Sequence, residues 1–468
     1  MTSNHHTGIE MTAAGTNENI HAAQPSASVC VAKASKKSDR AFLVIPAGIN
    51  LPKSKADADA IALFLSDLQF QTELTPQRKY LAHWISFESS KLREQLGGRY
   101  TRRLSILVES QAIEINHPYS TGNEKTEPFP KSYRLTREHR TGKSRVYEMQ
   151  TARGRLKARQ IFDSRIDDKM DVNGDYFARK LSEFVIDADA ARQNPKLSNH
   201  WAQTNIMRWE TGQHFATRCE MGRFHSLATQ QQRESRSHLS TATGEPIVIV
   251  DISACQPLIM GLLAAHNITH RPPQWSPNSE PLLPYVAHFL PRDTPKDVLR
   301  WIEMCETREI YGHFYDEIRS HPEPIWRTIE CRKGRRIGQQ ITRDMRTLTA
   351  KEFKRTTLIP LFDEEAKMEA SPVFGVLKRD FPSIANWVKE TKKPDLHQTT
   401  ARLCQRVESE LMIDGVGEVL RTRYIDEPVN PIHDALICRE GFAGTAQSLI
   451  REQFERYGLH PQIKIEAA

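Results

Sequence analysis

The sequence predicts an α+β chain in which an antiparallel sheet carries helical insertions, and three observations support that expectation. Ile247-Val248-Ile249-Val250 is an apolar, β-branched run that ends in Asp251. A second strand-compatible stretch contains Pro431-Ile432-His433-Asp434 and continues into Ala435-Leu436-Ile437. Before and between these runs, apolar residues recur at helical spacing.

Composition sets the limits. A chain of 468 residues with 38% hydrophobic and 26% charged residues is a globular class, long enough for about two to four domains. The net charge of +7 is unevenly distributed: Lys131 to Arg159 holds ten Lys and Arg against Glu138 and Glu148, and Arg332 to Arg355 holds nine against Asp344 and Glu352. Such clusters attract phosphates, although each alone is equally compatible with a solvated charged face. Seven cysteines, at 30, 219, 255, 305, 331, 404 and 438, form no C-x-x-C pair, which argues against a structural zinc site and for reduced thiols. Met1 to Asn19 lacks the pattern of a signal peptide, and no apolar run is long enough to span a bilayer. The expectation is a cytoplasmic protein without a membrane partner.

In chain order, residues 1–58 are rich in Ser, Thr, Ala, Asn and Lys and predict a disordered leader. Ile61, Leu63, Phe64 and Leu68 then mark one helix, and Tyr80, Leu81, Trp84, Ile85 and Leu92 a second, before the Gly97-Gly98 break. Leu104 to Val108 is a short third helix, followed by Ile113-Glu114-Ile115, a long polar loop and Tyr133-Arg134-Leu135. Helices followed by a two-stranded ribbon form a winged-helix-like layout over residues 59–140, with Arg102 and Arg103 at the start of the groove-reading helix; a small accessory domain is the alternative. Residues 141–220 predict a helical linker or thumb, with Phe177, Leu181, Phe184 and Val185 at helical spacing and an amphipathic helix from Trp201 to Gly212. Residues 221–468 hold both acid-bearing strands.

Those acids carry the chemistry. Hard oxygen ligands suit Mg²⁺, which needs one or two protein carboxylates beside phosphate oxygens, and Asp251 and Asp434 would supply them from strand ends. Two such ions, about 3.5 to 4 Å apart, activate an attacking hydroxyl and stabilise the leaving group; Mn²⁺ would serve in the same place. Alone, Asp251 fits many α/β folds and His433-Asp434 fits a simple turn. Arg343, Arg346, Lys351, Lys354 and Arg355 supply cations for a triphosphate, although Arg346 and Lys351, five apart, do not share one helix face. From Leu396 to Met412, Leu403, Val407 and Leu411 form an apolar stripe that leaves Gln398, Gln405 and Glu408 on other faces, where the polar side would meet a nucleic-acid groove.

In this order the residues from Met221 to the C-terminus resemble the palm and fingers of family A DNA polymerases. Met221-Gly222-Arg223-Phe224-His225-Ser226 resembles the T-G-R-L-S-S segment before the palm, which implies primer-template contacts by Arg223. Asp251-Ile252-Ser253-Ala254-Cys255-Gln256 resembles D-Y-S-Q-I-E, implying that Asp251 ligates both metals and that the Ile252 carbonyl contributes. Arg346 and Lys351 resemble the Arg and Lys of the R-x-x-x-K-x-x-x-F-G fingers helix, with Phe353 as the base-stacking candidate. Gln398-Thr399-Thr400-Ala401 resembles Q-G-T-A, and His433-Asp434-Ala435 resembles H-D-E; Gln398, Gln405 and His433 join Arg223 as primer-template candidates. The resemblance implies a right-hand polymerase fold, with palm, helical fingers and thumb.

The departures are informative. Gln256 stands where the family has the Glu that closes the sugar pocket against a ribose 2′-hydroxyl, and Ala435 replaces the Glu of H-D-E, a Glu that single-subunit phage RNA polymerases, which share this palm, also do without. Upstream there is no D-x-E exonuclease pattern, so proofreading is not expected. Three readings stay open: a compact polymerase extending a primer on DNA or RNA with nucleoside triphosphates, a single-subunit RNA polymerase or primase-like enzyme, and a DNA-binding replication or regulatory protein with a vestigial palm. The sequence says nothing of oligomeric state.

Overall fold

Four antiparallel strands, in the order Val429–Ile432, Ala435–Arg439, Ile247–Ile252 and Ile463–Ala467, form the largest sheet. The computed structural model describes residues 40–74, 84–116, 130–168, 170–269, 281–286, 288–330, 340–357, 365–392 and 398–468. Within them the architecture is mixed, with small antiparallel sheets and many helices. None of these helices is long and apolar enough to cross a membrane.

The β-branched run Ile247–Ile252 is buried except at Asp251, as a strand covered on both faces must be. The helix Ala443–Glu455 packs on three strands of this sheet. Directly after Asp251 the chain enters the helix Cys255–Ala265, which is apolar almost all round. Gly261 lets the helix Lys296–Glu306 approach it closely: a Cβ there would lie 2.6 Å from Ile302 Cγ1 and 3.0 Å from Trp301 Cδ1. Trp301 Nε1 donates to the Pro257 carbonyl at 2.7 Å, so the indole is satisfied as well as buried. The helix Thr399–Ser409 continues through a π-helical stretch, Glu410–Val416, into Gly417–Arg423. That stretch brings the Glu410 carboxylate to the Leu282 and Leu283 amides and Asp414 to Arg218.

A second hydrophobic core lies upstream. Its helix Lys55–Leu74 is followed by strand Ile85–Ser86, helices Ser89–Leu96 and Tyr100–Glu109, and strands Ile113–Asn116 and Ser132–Leu135. The strand Ser132–Leu135 is central in a three-stranded sheet, and Phe64, Phe87 and Tyr133 meet ring to ring within it. The helix expected from Tyr80 begins only at Ser89. Ile85 and Phe87 point inward and Ser86 outward, a period of two that makes this stretch a strand; Tyr80 and Leu81 lie outside the described residues.

The leader expected to reach residue 58 gives way earlier. Phe42–Pro46 is a strand paired with Ser144–Glu148, and its Leu43, Val44 and Ile45 are buried. Only residues 1–39 of the expected leader lie outside the described set. The boundary expected at residue 220 falls inside a hairpin, because Ala216–Arg218 pairs with Phe224–Ser226. Residues 172–218 accordingly share the core of the acid-bearing sheet through Phe177, Leu181, Trp209 and Phe215.

The two cores meet along a polar seam. Arg208, from the helix His200–Glu210, pairs with Glu73, and the Arg165 and Arg208 guanidiniums both lie over the Phe70 ring, at 4.1 and 5.2 Å. On the sheet side, buried Asn430 donates to the Phe177 carbonyl at 2.8 Å and accepts from Ser226 Oγ at 3.4 Å. Asn430→Ala strands both partners, and it is expected to lower unfolding free energy by about 2 kcal/mol. Chemical denaturation measures this, and an unchanged midpoint would remove Asn430 as the tie between these segments.

Candidate active site

The site is built by strand register. Asp251 pairs with Ala435 on one side and with Lys464 on the other, and the Ile252 amide donates to the Asp434 carbonyl at 3.2 Å. His433 and Asp434 are the two turn residues between Val429–Ile432 and Ala435–Arg439. His433 has φ +58°, and Ala254, which opens the helix after Asp251, has φ +55°. Non-glycine residues rarely adopt this conformation, so both acids are flanked by costly backbone of the kind that collects at functional sites.

The electrostatics show that Asp434 feels the charge of Asp251. The Asp434 carboxyl is pushed up to about 7, by burial first and then by the charges of Glu408 and Asp251. Burial also raises Asp251, Glu466 adds to the rise, and Lys354, Lys464 and Arg233 pull it down. Both acids remain partly open to solvent, so a ligand reaches them without unfolding.

Around them lies a half-satisfied polar shell. The Glu408 side chain, 2% exposed, takes Arg223 Nη2 at 2.6 Å and Gln256 Nε2 at 3.4 Å on its Oε2. Glu408 Oε1, Arg223 Nε, His433 Nδ1 and Ser253 Oγ are buried and have no protein partner. Burial, then Arg223 and His225, depress the His433 imidazole to about 4, so it is neutral at pH 7; its ring lies 5.8 Å from that of His225. Lys354, on the helix Ala350–Thr357, sits 4.8 Å above the Tyr311 ring, and its charge reaches Asp251.

The sequence candidates divide. Asp251, Asp434, Arg223, Gln256 and His433 come together, and Ile252 is buried beside them. Arg346 is not on the helix of Lys351: it lies in the turn Met345–Thr347, pairs with Asp344 and donates to the His321 and Pro322 carbonyls. Lys351 is exposed, and Phe353 is fully buried against Tyr315 at 5.4 Å, so it has no free face for a base. Arg343 pairs with Glu352. Gln398 is exposed before the helix Thr399–Ser409, and Gln405 is partly buried on it. The basic stretch at residues 332–336 lies outside the described residues. Tyr311 was missed in the sequence, and Glu408, read there as facing a nucleic-acid groove, is instead buried against Arg223 and Gln256.

A separate trio, His313, Glu317 and Asp380, brings its ligand atoms within 4.8 Å of one another. Arg379 already bridges Glu317 and Asp380, and His313 Nε2 lies 2.9 Å from Asp380 Oδ2. Its charges are paired directly within the protein, whereas Asp251 and Asp434 have cations near them but no direct salt bridge among the described residues.

Comparison with known proteins adds little to this geometry. No family model and no curated protein matches the chain. Among solved structures, the POL domain of Pol1 from M. smegmatis, in complex with DNA primer-template and dNTP, is similar at 13% identity and a TM-score of 0.33. The match covers 60% of this chain and 55% of that one. A likeness at this level leaves function to the site's own residues.

A carboxyl whose folded pKa lies above the unfolded value of about 3.9 favours the fold while protonated. That contribution is complete below the unfolded value and is lost as pH rises through about 7 for Asp434. Asp434→Asn should therefore match the wild type in stability near pH 4 and exceed it by about 2 kcal/mol at pH 8, the full linkage value being halved because the carboxylate is partly solvated. Thermal or urea unfolding across this range measures the gap, and a gap independent of pH would contradict the placement of Asp434.

Proposed function

We propose that the chain is a template-directed nucleotidyltransferase that extends a nucleic-acid primer with nucleoside triphosphates. The observation that carries this reading is the convergence of Asp251 and Asp434 on adjacent strand ends, where burial raises both carboxyls and the charge of Asp251 raises Asp434 further. Like charges held this close call for a cation. The donor set, two carboxylates among buried oxygen and nitrogen atoms without partners, fits a hard divalent ion such as Mg²⁺.

Asp251 and Asp434 would hold the metal, which when bound supplies charge stabilisation for phosphoryl transfer. The reaction joins a primer 3′-hydroxyl to the α-phosphorus and breaks its bond to pyrophosphate. The chain's part is positioning. Lys354, exposed on the Tyr311 ring near Asp251, is the cation placed to meet a triphosphate, a task the sequence assigned to Arg346 and Lys351. Neutral His433 offers the primer-template a polar group without charge. Arg223 is held by Glu408, so its remaining donors face the site with restricted freedom.

In the same reading the upstream core is a winged-helix-like module that binds duplex. Its order of helix, strand, two helices and two strands, in one three-stranded sheet, supports this. Arg103 is committed to Asp57, which leaves exposed Arg99 and Arg102 to meet phosphates at the start of the helix Tyr100–Glu109.

Asp251→Ala and Asp434→Ala should each reduce Mg²⁺-dependent primer extension by at least about 1,000-fold, with primer-template binding still measurable. Lys354→Ala should raise the KM for nucleotide about tenfold through one lost charged contact. Extension by either Asp variant at the wild-type rate would falsify the assignment.

A further inference from the structure

We infer that the helix Ala152–Asp163 is a second phosphate-contacting element of the upstream module, and that it carries the backbone of a bound duplex onward from the start of the helix Tyr100–Glu109. The inference rests on the duplex-binding reading of that module and extends its surface beyond residues 59–140, into the basic block that ends at Arg159.

A charged helix can serve a module only if something fixes it there. Buried Asp59, on the helix Lys55–Leu74, accepts from the Tyr147 hydroxyl at 2.9 Å, the Gln150 amide at 3.0 Å, the Thr151 amide at 2.8 Å and the Thr151 hydroxyl at 2.7 Å. Thr151 in turn caps the helix that follows, accepting from the Gly154 amide at 2.9 Å. Position 154 requires glycine, because a Cβ there would collide with the Asp59 carboxylate. One turn on, Ala158 is fully buried in the upstream core, and Ile161 and Phe162 pack against that core. Arg153, exposed between Ala152 and Gly154, therefore starts from a fixed first turn.

Lys157 links this helix to a second set of cations. Its Nζ donates to the Glu94 carbonyl, and Arg103 Nη1 donates to the Leu96 carbonyl. Both cover the C-terminal end of the helix Ser89–Leu96, whose free carbonyls attract positive charge. Arg103 also pairs with Asp57, whose carboxyl it holds low, and the charge of Arg102 adds to that effect. Burial first, then the charge of Arg153, lowers the Lys157 ammonium; Glu94 opposes this and Arg103 adds to it. Two basic segments far apart in sequence thus share one surface.

The cations there are not all matched by acids. Arg99, Arg102 and Arg153 are exposed and have no ion pair among the described residues, whereas exposed arginines elsewhere, Arg40, Arg179 and Arg379, each pair with a carboxylate. Unpaired like charges gathered on one face are a footprint for phosphates. The aromatic rings of these two helices are already covered: the Arg93 guanidinium lies over Tyr100 at 5.8 Å and that of Arg165 over Phe162 at 5.4 Å. A single strand is held by stacked bases as well as by charge. Cations without a free ring fit the backbone of a duplex, held without regard to its sequence.

The test uses the full chain without Mg²⁺ and a short fluorescent duplex DNA, with Kd measured by anisotropy across a salt series. Each phosphate contact contributes about 0.9 to the slope of log Kd against log salt concentration, so Arg153→Gln should flatten the slope by about 0.9 and the pair Arg99→Gln, Arg102→Gln by about twice that. Arg179→Gln, on the helix Val172–Lys180, should leave the slope unchanged. A slope unmoved by Arg153→Gln but flattened by the Arg99 and Arg102 changes overturns the inference and leaves duplex binding by the module standing. Equal flattening by Arg179→Gln, tighter binding of a matched single strand, or preference for phosphatidylserine vesicles over duplex overturns it as well. A slope unmoved by the Arg99 and Arg102 changes, or a wild type that holds no duplex, overturns the duplex-binding reading itself.

Discussion

The pairing of Ile247–Ile252 with Ala435–Arg439 is the constraint from which the site follows. It sets Asp251 opposite Ala435 and ties the Ile252 amide to the Asp434 carbonyl, so the two acids are neighbours through backbone hydrogen bonds. A slip of one residue would send Asp251 to the other face of the sheet. The turn at His433 and Asp434 leaves no slack to absorb such a slip, since it holds two residues and one of them already sits at positive φ.

Once the acids are side by side, the surroundings become legible as compensation that stops short. Glu408 is matched by Arg223 and Gln256 on one oxygen and by nothing on the other. Two neighbouring clusters are better matched: Glu410 takes two amides and Arg406, and Arg218 spans Asp171 and Asp414.

The acid-bearing strands were readable in the sequence because a buried β-branched run has few alternatives, and the helices at Ile61 to Leu68 and Trp201 to Gly212 because their apolar spacing repeats. The cationic segment was not. Arg346 and Lys351 looked like one helix face by count, but Asp344 caps the turn at Met345–Thr347 and accepts from the Arg346 amide and side chain, so the helix starts after it. Phe353 is the apolar side of that short helix, and apolar residues beside a cationic face more often close a core than await a base. The sequence put Glu408 on a polar face but could not put it beside Arg223 and Gln256, because those partners come from segments more than 150 residues away. The early strand Phe42–Pro46 escaped because its partner, Ser144–Glu148, lies beyond the whole upstream module.

That same ladder has an evolutionary consequence. Phe42, where the chain enters the upstream module, pairs with Glu148, where it leaves, so entry and exit are neighbouring strands about 5 Å apart. A segment whose two ends meet in this way behaves as a cassette: it can be exchanged for another of different length without changing the path of the chain on either side. What a replacement must reproduce is the seam at Phe70 and Glu73, which the two buried arginines read. Recombination could thus join one acid-bearing body to several different upstream modules.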